Sequence, residues 1–493
     1  MKAKLLSLLG GVLVSAAAWA AERPDILFLM PDQMRGDCLS ILGHPVVRTP
    51  QLDELAKQGT LFRRAYSPVP SCIPARFALL TGMYPQTSGV VGYAARPITT
   101  PTLPGVLADA GYVTVLVGRN MHQLPASGTC GYQKNILAST YVAGDGYDEF
   151  LKKAAPEYNG IRDLVAKLGL DNNRWPAAPW PVADELHPTA WIVQQSRQVI
   201  RETPAGQPLF LTSSFYAPHP PLFPPKKFFD AFLKKNLPPV ARGDWVDWAA
   251  LSPTGSKNGH RIRLEGDMLR RAQAGYFGLI EHLDEQFGPL IADFKARSEK
   301  AGRAWVIVVS TDHGEMLGDH GYFRKCEPYE GAANIPFIIA GSPSLGFKRG
   351  ARCNQPVCLE DIMPTLLAAA GVEIPKNVDG RNLVPVLRGE GRVPREWLHF
   401  EHAPCYGKEQ AFHALTDGHF KYIWRPDDGS EQLFDLDKDL REEHDLSKTP
   451  AVEVWRQRLV KRLAGRPEGF SDGERLIAGR PYPALQKKAA KTE

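Results

Sequence analysis

"ILFLMPDQ" (residues 26–33) is the stretch on which the fold turns. Five consecutive apolar residues run into Pro31, and Asp32 and Gln33 follow at once. A short, unbroken apolar run bounded by a turn residue fits a strand buried on both faces, since a half-exposed strand would alternate with polar residues. Four further runs have the same character: "VTVLV" (113–117), "LFLTS" (209–213), "WVIVV" (305–309) and "PFIIA" (336–340). Helix signals lie between them. In "TPQLDELAKQG" (49–59), Thr49 is placed to cap, Pro50 takes the first helical position, Leu52, Leu55 and Ala56 share one face, and Gly59 marks the stop. Strands alternating with helices predict an α/β fold with a large, mainly parallel mixed sheet sandwiched by helices. Ligands in such folds gather beyond the carboxyl ends of the strands.

Two regions break this rhythm. Residues 171–260 are dense in proline and aromatics, as in "DNNRWPAAPWPVADELHP" and "APHPPLFPPKKFF", and predict long ordered loops over a site. From about residue 395, "AFHALTDGHFKYIW" and "EQLFDL" predict antiparallel strands with turns at Asp417-Gly418 and Asp428-Gly429. The expected organisation is a catalytic α/β domain over 22–390 and a smaller C-terminal α+β subdomain over 391–493.

The 493 residues are 43% hydrophobic and 23% charged, which excludes disordered and fibrous classes. At the start, Lys2 and Lys4 precede an apolar run and Ala18-Trp19-Ala20, the pattern of a signal peptide over residues 1–20. No cysteine stands at the cleavage point to carry a lipid, so a periplasmic or secreted protein is expected. No later run reaches the ~18 apolar residues of a membrane span. The formal charge of +5 falls to about +3 without the two leader lysines, and no long basic run points to nucleic acid. The C-terminal "QKKAAKTE" reads as a solvated tail. Seven cysteines, at 38, 72, 130, 326, 353, 358 and 405, leave at least one outside any internal disulfide, while Cys353 and Cys358 are close enough in sequence to pair.

Chemistry collects after the strands. Asp32 and Gln33 follow the first, and "TDHGE" (311–315) follows "WVIVVS". Two such ends can converge on a metal, with Asp32 and Asp312 as anionic oxygen ligands, Gln33 through its amide oxygen and His313 as a nitrogen ligand. The alternative for each aspartate is a helix cap. In "SPVPSCIPARFALLTG" (67–82), Pro74 suits the first turn of a helix, so the Cys72 thiol lies where unpaired N–H groups favour anions. Arg76 adds a fixed charge one turn on. These residues alone allow either a reactive or modified cysteine in an anion site, or a buried structural thiol.

The segment Cys72-Ile-Pro-Ala-Arg76, followed by Leu80-Thr81-Gly82, resembles the signature of formylglycine-dependent sulfatases of the alkaline-phosphatase-like superfamily, with Ala75 where serine is common. Further blocks resemble the family in order: "RPDILFLMPDQMRGD", "TPQLDELAKQGTLFRRAYS", "GYVTVLVGRNMH", "YAPHPP", "STDHGEMLGDHGYFRKCEPYEGAANIPFIIAG" and "EQLFDLDKDLREEHDLS". The resemblance spans roughly residues 22 to 450.

It implies that a maturating, formylglycine-generating enzyme converts Cys72 to 3-oxoalanine, whose hydrate attacks sulfur while Arg76 holds it. Asp32, Gln33, Asp312 and His313, with residue 72, match the positions of a divalent metal, calcium in most of the family and another divalent ion as the alternative. Gln33 stands where a second aspartate is usual, and His313 where asparagine is frequent. His122 matches the base that lets sulfate depart, and His219 the acid for the leaving alcohol. Where the family has Lys-x-His, either Arg119 replaces the lysine with one extra residue between, the reading preferred here, or no cation occupies that position, and Lys325 matches the second sulfate-binding cation. His320 is expected near the site. His399, His402 and His413 are candidates for bordering a substrate cleft, and His282 and His444 for packing or surface roles. The expected activity is hydrolysis of sulfate monoesters on a carbohydrate, such as sulfated galactose or hexosamine of mucins or glycosaminoglycans, or on an aryl sulfate. A phosphonate monoester or phosphodiester hydrolase of the same superfamily and a non-catalytic glycan-binding relative are the rivals.

Overall fold

The computed structural model describes residues 23–122, 124–256 and 259–486. The expected signal peptide lies outside them, as does all but the first residue of the C-terminal tail. The strands in chain order are β1 (Asp25–Asp32), β2 (Gly59–Phe62), β3 (Ala65–Tyr66), β4 (Val113–Gly118), β5 (Lys134–Leu137), β6 (Leu209–Pro218), β7 (Trp305–Ser310), β8 (Phe337–Gly341), β9 (Ala351–Cys353), β10 (Val357–Cys358), β11 (Leu398–His402), β12 (Phe412–Thr416), β13 (Phe420–Trp424) and β14 (Glu431–Asp435). Eight of them form one sheet in the order β5-β4-β6-β1-β7-β8-β2-β9, parallel except where β8 runs antiparallel to β7 and β2. All five apolar runs of the sequence are strands of this sheet.

Every residue of β1 is buried because both faces are covered. Leu27 and Leu29 join a cluster containing Leu283 and Phe287 of the long helix Gly266–Lys300. Ile26, Phe28 and Met30 point the other way, into a cluster with Leu79, Leu80 and Leu366. Burial of each such side chain contributes ~1.5–3 kcal/mol, which fixes the strand at the centre of the sheet.

The C-terminal sheet is antiparallel, β11-β12-β13-β14, with tight connections at the two predicted Asp-Gly turns. The helix Val452–Leu463 packs on it through Trp455 and Leu459. Among the described residues, no helix is long and apolar enough to cross a membrane.

Some expectations are corrected. Residues 171–260 are not all loop: the helices Pro188–Glu202 and Lys226–Leu233 flank β6, the first opening on Pro188 and the second directly after Pro225, because proline at a helix start begins a helix as readily as it ends one. The first helix is Pro50–Lys57, and Gly59 opens β2 instead of stopping the helix. Thr49 holds the cap position, but its hydroxyl bonds Asp53 and Ser40 and does not cap the backbone. Cys353 and Cys358 remain free thiols on different strands, β9 and β10, pairing with β2 and β3 respectively.

Candidate active site

The site follows from sheet order. The neighbouring parallel strands β4, β6, β1 and β7 end side by side, and each delivers polar residues at or just beyond its carboxyl end. β4 delivers Arg119, β6 delivers His219 after Pro218, β1 delivers Asp32 and Gln33, and β7 delivers Asp312 and His313. Between β1 and β7 the register pairs Asp25 with Trp305 and Leu29 with Val309, so the equal count to Asp32 and Asp312 brings both carboxylates to one level.

The helix Cys72–Thr81 completes the floor. Cys72 is its first residue, with unpaired N–H groups around the thiol. The Ser71 hydroxyl at the cap position makes no cap bond and lies 2.8 Å from His402 Nε2. Fully buried, Cys72 Sγ accepts from Lys325 Nζ at 3.0 Å and Arg119 Nη2 at 3.5 Å and lies 3.2 Å from His313 Nε2. Burial pushes the thiol pKa up, but Lys325, His313 and Arg119 together bring it well below its ordinary value.

Arg76, one helical turn from Cys72, is also fully buried. Its Nη2 donates to Asp32 Oδ2 at 2.7 Å and its Nε to Asp312 Oδ2 at 2.9 Å, so it organises the carboxylates. Arg119 Nε adds a contact of 2.9 Å to Asp32 Oδ2, with the guanidinium 4.5 Å from the centre of the Tyr216 ring. Arg119 thus occupies the site despite its altered spacing. Its Nη2 also lies 3.2 Å from His122 Nε2, and since arginine only donates, that nitrogen is the acceptor. Burial lowers the His122 pKa, although Cys72 opposes this.

His219 Nδ1 lies 2.7 Å from the Pro220 carbonyl, which only accepts, so its Nε2 accepts from Lys325 Nζ at 3.1 Å. Burial and Lys325 hold this imidazole well below its usual value. Lys325 also donates to Gln33 Oε1 at 3.2 Å, joining Cys72, His219 and Gln33. Burial would lower its pKa, but Cys72 and its other anionic neighbours keep the ammonium charged.

The residues fit a divalent cation. Asp32, Cys72, Asp312 and His313 each offer a ligand atom within 4.8 Å of the others. Asp32 Oδ1 is buried without a hydrogen-bond partner. His313 Nδ1 is 2.9 Å from the Gly314 carbonyl, which leaves Nε2 as the ligating nitrogen. Burial pushes the Asp32 carboxyl up to about 7, partly offset by Arg119. Asp312 is held low: burial opposes this, but His313 and Arg76 overcome it.

Sequence reasoning missed Glu315, which bonds Gln33, and Tyr216, on which Arg119 lies. Both stand in quoted blocks, "TDHGE" and "YAPHPP", but nothing in their spacing marks them. Other histidines are corrected. His320 packs on Trp245 and Tyr329 and accepts from Gly243 N. His399 and His413 lie in a buried network with Glu401, and His402 faces Ser71, so none of the three borders an open cleft. His282 packs against His187, and His444 is exposed, both as expected.

The family model described as Sulfatase matches residues 24–372, and that described as N-sulphoglucosamine sulphohydrolase, C-terminal, matches residues 318–468. The chain is 35% identical over 486 residues to an arylsulfatase of Clostridium perfringens, covering 94% of this chain and 99% of the relative. A choline-sulfatase of Rhizobium meliloti is 28% identical, with 88% and 84% covered. Among solved structures, the phosphonate monoester hydrolase SpPMH from Silicibacter pomeroyi superposes with a TM-score of 0.73 at 26% identity, over 90% of this chain and 94% of that one. With a family match over most of its length and a site built for an anionic ester, the chain belongs to the sulfatase family and is a sulfuric ester hydrolase.

Proposed function

We propose that this is an exported sulfatase acting on carbohydrate sulfate monoesters through a formylglycine made from Cys72 by a maturating enzyme, with calcium as the bound cation. The observation that carries the reading is the setting of Cys72: first residue of a helix, in contact with Lys325, Arg119 and His313, beside two carboxylates held by Arg76. Formylglycine supplies a geminal diol as nucleophile, and a cation held by Asp32, Gln33, Asp312 and His313 supplies positive charge beside it.

The remaining chemistry belongs to the chain. Arg119 Nη2 and Lys325 Nζ converge on position 72 and bind the sulfate oxygens as negative charge grows on them. His219 donates the proton that the departing alcohol needs, and Lys325 holds it in position. His122 Nε2, an acceptor here, takes the proton whose loss releases sulfate. Water restores the aldehyde hydrate, so the net reaction is ester plus water to alcohol plus sulfate.

The sugar reading is supported by the match of residues 318–468 to the C-terminal model named for N-sulphoglucosamine sulphohydrolase. An exposed aromatic, Tyr93, also suits a sugar ring. Export rests on the sequence of residues 1–20. One observation favours a second activity, hydrolysis of phosphonate monoesters: the likeness to the phosphonate monoester hydrolase SpPMH.

The test is sulfate release from defined sulfated saccharides, with 4-nitrophenyl sulfate and phenylphosphonate esters alongside, by protein co-expressed with a maturating enzyme. Wild type should turn over sulfated sugars in preference to phosphonates, and Cys72→Ala should lose at least about 1,000-fold. Mass spectrometry of the peptide around residue 72 should show the aldehyde. Equal turnover by wild type and Cys72→Ala would refute the mechanism.

A further inference from the structure

Gln33 has a fixed backbone and a side chain with two possible settings. Its φ of 65° is left-handed, the Tyr276 hydroxyl donates to its carbonyl at 2.6 Å, and its N–H donates to Asp312 Oδ1 at 3.3 Å. The terminal amide can still present either oxygen or nitrogen to the site. Only the oxygen can ligate a cation or accept from Lys325.

Two neighbours remove the ambiguity. Lys325 Nζ, which only donates, stands 3.2 Å from Oε1. On the opposite side Nε2 donates to Glu315 Oε2. Glu315 is fully buried, and its Oε1 accepts from Leu317 N at 2.8 Å and Arg324 N at 2.5 Å, so the carboxylate cannot rotate away. A reversed amide would face donor with donor at Lys325 and acceptor with acceptor at Glu315, leaving buried groups unpaired on both sides.

We propose that Glu315 is a positioning residue: it sets the Gln33 amide so that its oxygen, not its nitrogen, faces Lys325 and the cluster of Asp32, Asp312 and His313. The consequence for cation binding rests on the function proposed above, whereas the amide orientation does not. Glu315 thus does for the neutral ligand Gln33 what an aspartate at that position would do unaided, since either oxygen of a carboxylate ligates.

Substitution by glutamine discriminates this role from general support. In Glu315→Gln the amide oxygen still accepts from Leu317 N and Arg324 N, so the new NH2 points at Gln33. Gln33 then turns its oxygen toward residue 315 and its nitrogen into the site. Gln33→Glu offers the site an oxygen whatever stands at 315, although beside wild-type Glu315 it sets carboxylate against carboxylate, a clash that the amide of Glu315→Gln relieves.

Calcium binding by the full chain, followed by calorimetry, therefore forms a cycle of wild type, Glu315→Gln, Gln33→Glu and the double variant. Melting of the chelator-treated proteins serves as the control for folding. Glu315→Gln should weaken calcium binding ~10–100-fold in the wild-type background. In the Gln33→Glu background it should cost nothing or strengthen binding, since the new NH2 then meets a carboxylate. An equal loss in both backgrounds, or no loss in either, overturns the proposal. Diffraction from calcium-soaked wild type gives a second arm without any variant: Gln33 Oε1 should stand ~2.3–2.6 Å from the ion, and a Gln33 that turns nitrogen to it overturns the assignment. If wild type takes up no divalent cation, the cation reading falls. The orientation is then decided by the amide hydrogens at atomic resolution, with NH2 toward Glu315 upholding it and toward Lys325 defeating it.

Discussion

The Pro220 carbonyl takes the Nδ1 proton of His219, and Lys325 donates to its Nε2, so this imidazole rests neutral, its pKa depressed by burial and by that lysine. A sulfate ester brings negative charge beside both groups and raises the proton affinity of Nε2, which makes the acid available when substrate is bound. How much that proton matters depends on the leaving group. His219→Ala should lower kcat by about 100-fold or more on a sugar or alkyl sulfate, whose alkoxide leaves poorly. On 4-nitrophenyl sulfate, whose phenolate needs little help, the loss should be about tenfold or less. The comparison is a leaving-group series for the two proteins, and equal losses across it would remove His219 from the acid role. Arg119 belongs to the same scale. It meets Cys72, His122 and Asp32 at once, a set of contacts that a planar guanidinium with several N–H groups can make and a lysine cannot.

At the scale of elements, four parallel strands supply the site, and the antiparallel strand β11 supports it from behind. Along β11, His402 faces Ser71, at the start of the Cys72 helix, while Glu401 faces Arg466, Tyr482 and His413. Arg466 donates to both oxygens of Glu401, at 2.9 and 2.7 Å. Burial opposes ionisation of Glu401, yet Arg466 and the neighbouring histidines hold its carboxyl well below the ordinary value of 4.5. A carboxyl depressed in the fold adds stability that is complete above its unfolded value and is lost as acid protonates it. Glu401→Gln should cost about 3 kcal/mol at pH 7. The stability gap between wild type and variant, followed by denaturant melts, should hold from pH 7 to 5 and narrow below about 4.5. A gap that widened in acid would contradict the ion-pair account.

Across the whole molecule, the C-terminal sheet is joined to the catalytic domain by buried charge as well as apolar packing. Lys421 of β13 is fully buried, with its ammonium 2.6 Å from Glu330 Oε1, 2.7 Å from Glu442 Oε1 and 3.0 Å from the Pro328 carbonyl. Nearby, Arg425 reaches Glu327 and the Tyr329 hydroxyl, on the same loop that carries Lys325. Removing the cation leaves two carboxylates buried beside each other. Burial already pushes the Glu442 carboxyl up to about 7. Lys421→Met should therefore destabilise by about 3 kcal/mol or more, and calorimetry should show one cooperative transition, lowered in temperature. Two separate transitions in wild type would mean that the C-terminal sheet folds independently of the site it braces.

The sequence by itself determined the strands, their burial and most of the candidate chemistry, because continuous apolar runs, proline-marked helix starts and the Cys72-x-Pro-x-Arg76 segment are local patterns. Asp32 and Asp312 were legible as residues following strands, and Arg119 and His219 only through the resemblance of the blocks that hold them. Their meeting was not, since it depends on the sheet order β4-β6-β1-β7, which no local pattern encodes. Tertiary structure also decided what Arg76 holds: its guanidinium lies on two carboxylates supplied by strands far away in sequence. It placed His320, His399 and His413 in packed networks, because a histidine's surroundings come from elements that its own sequence neighbours do not specify. The orientation of the Gln33 amide is the extreme case. Gln33 and Glu315 are 282 positions apart, and only the fold places a carboxylate behind one end of that amide and an ammonium before the other.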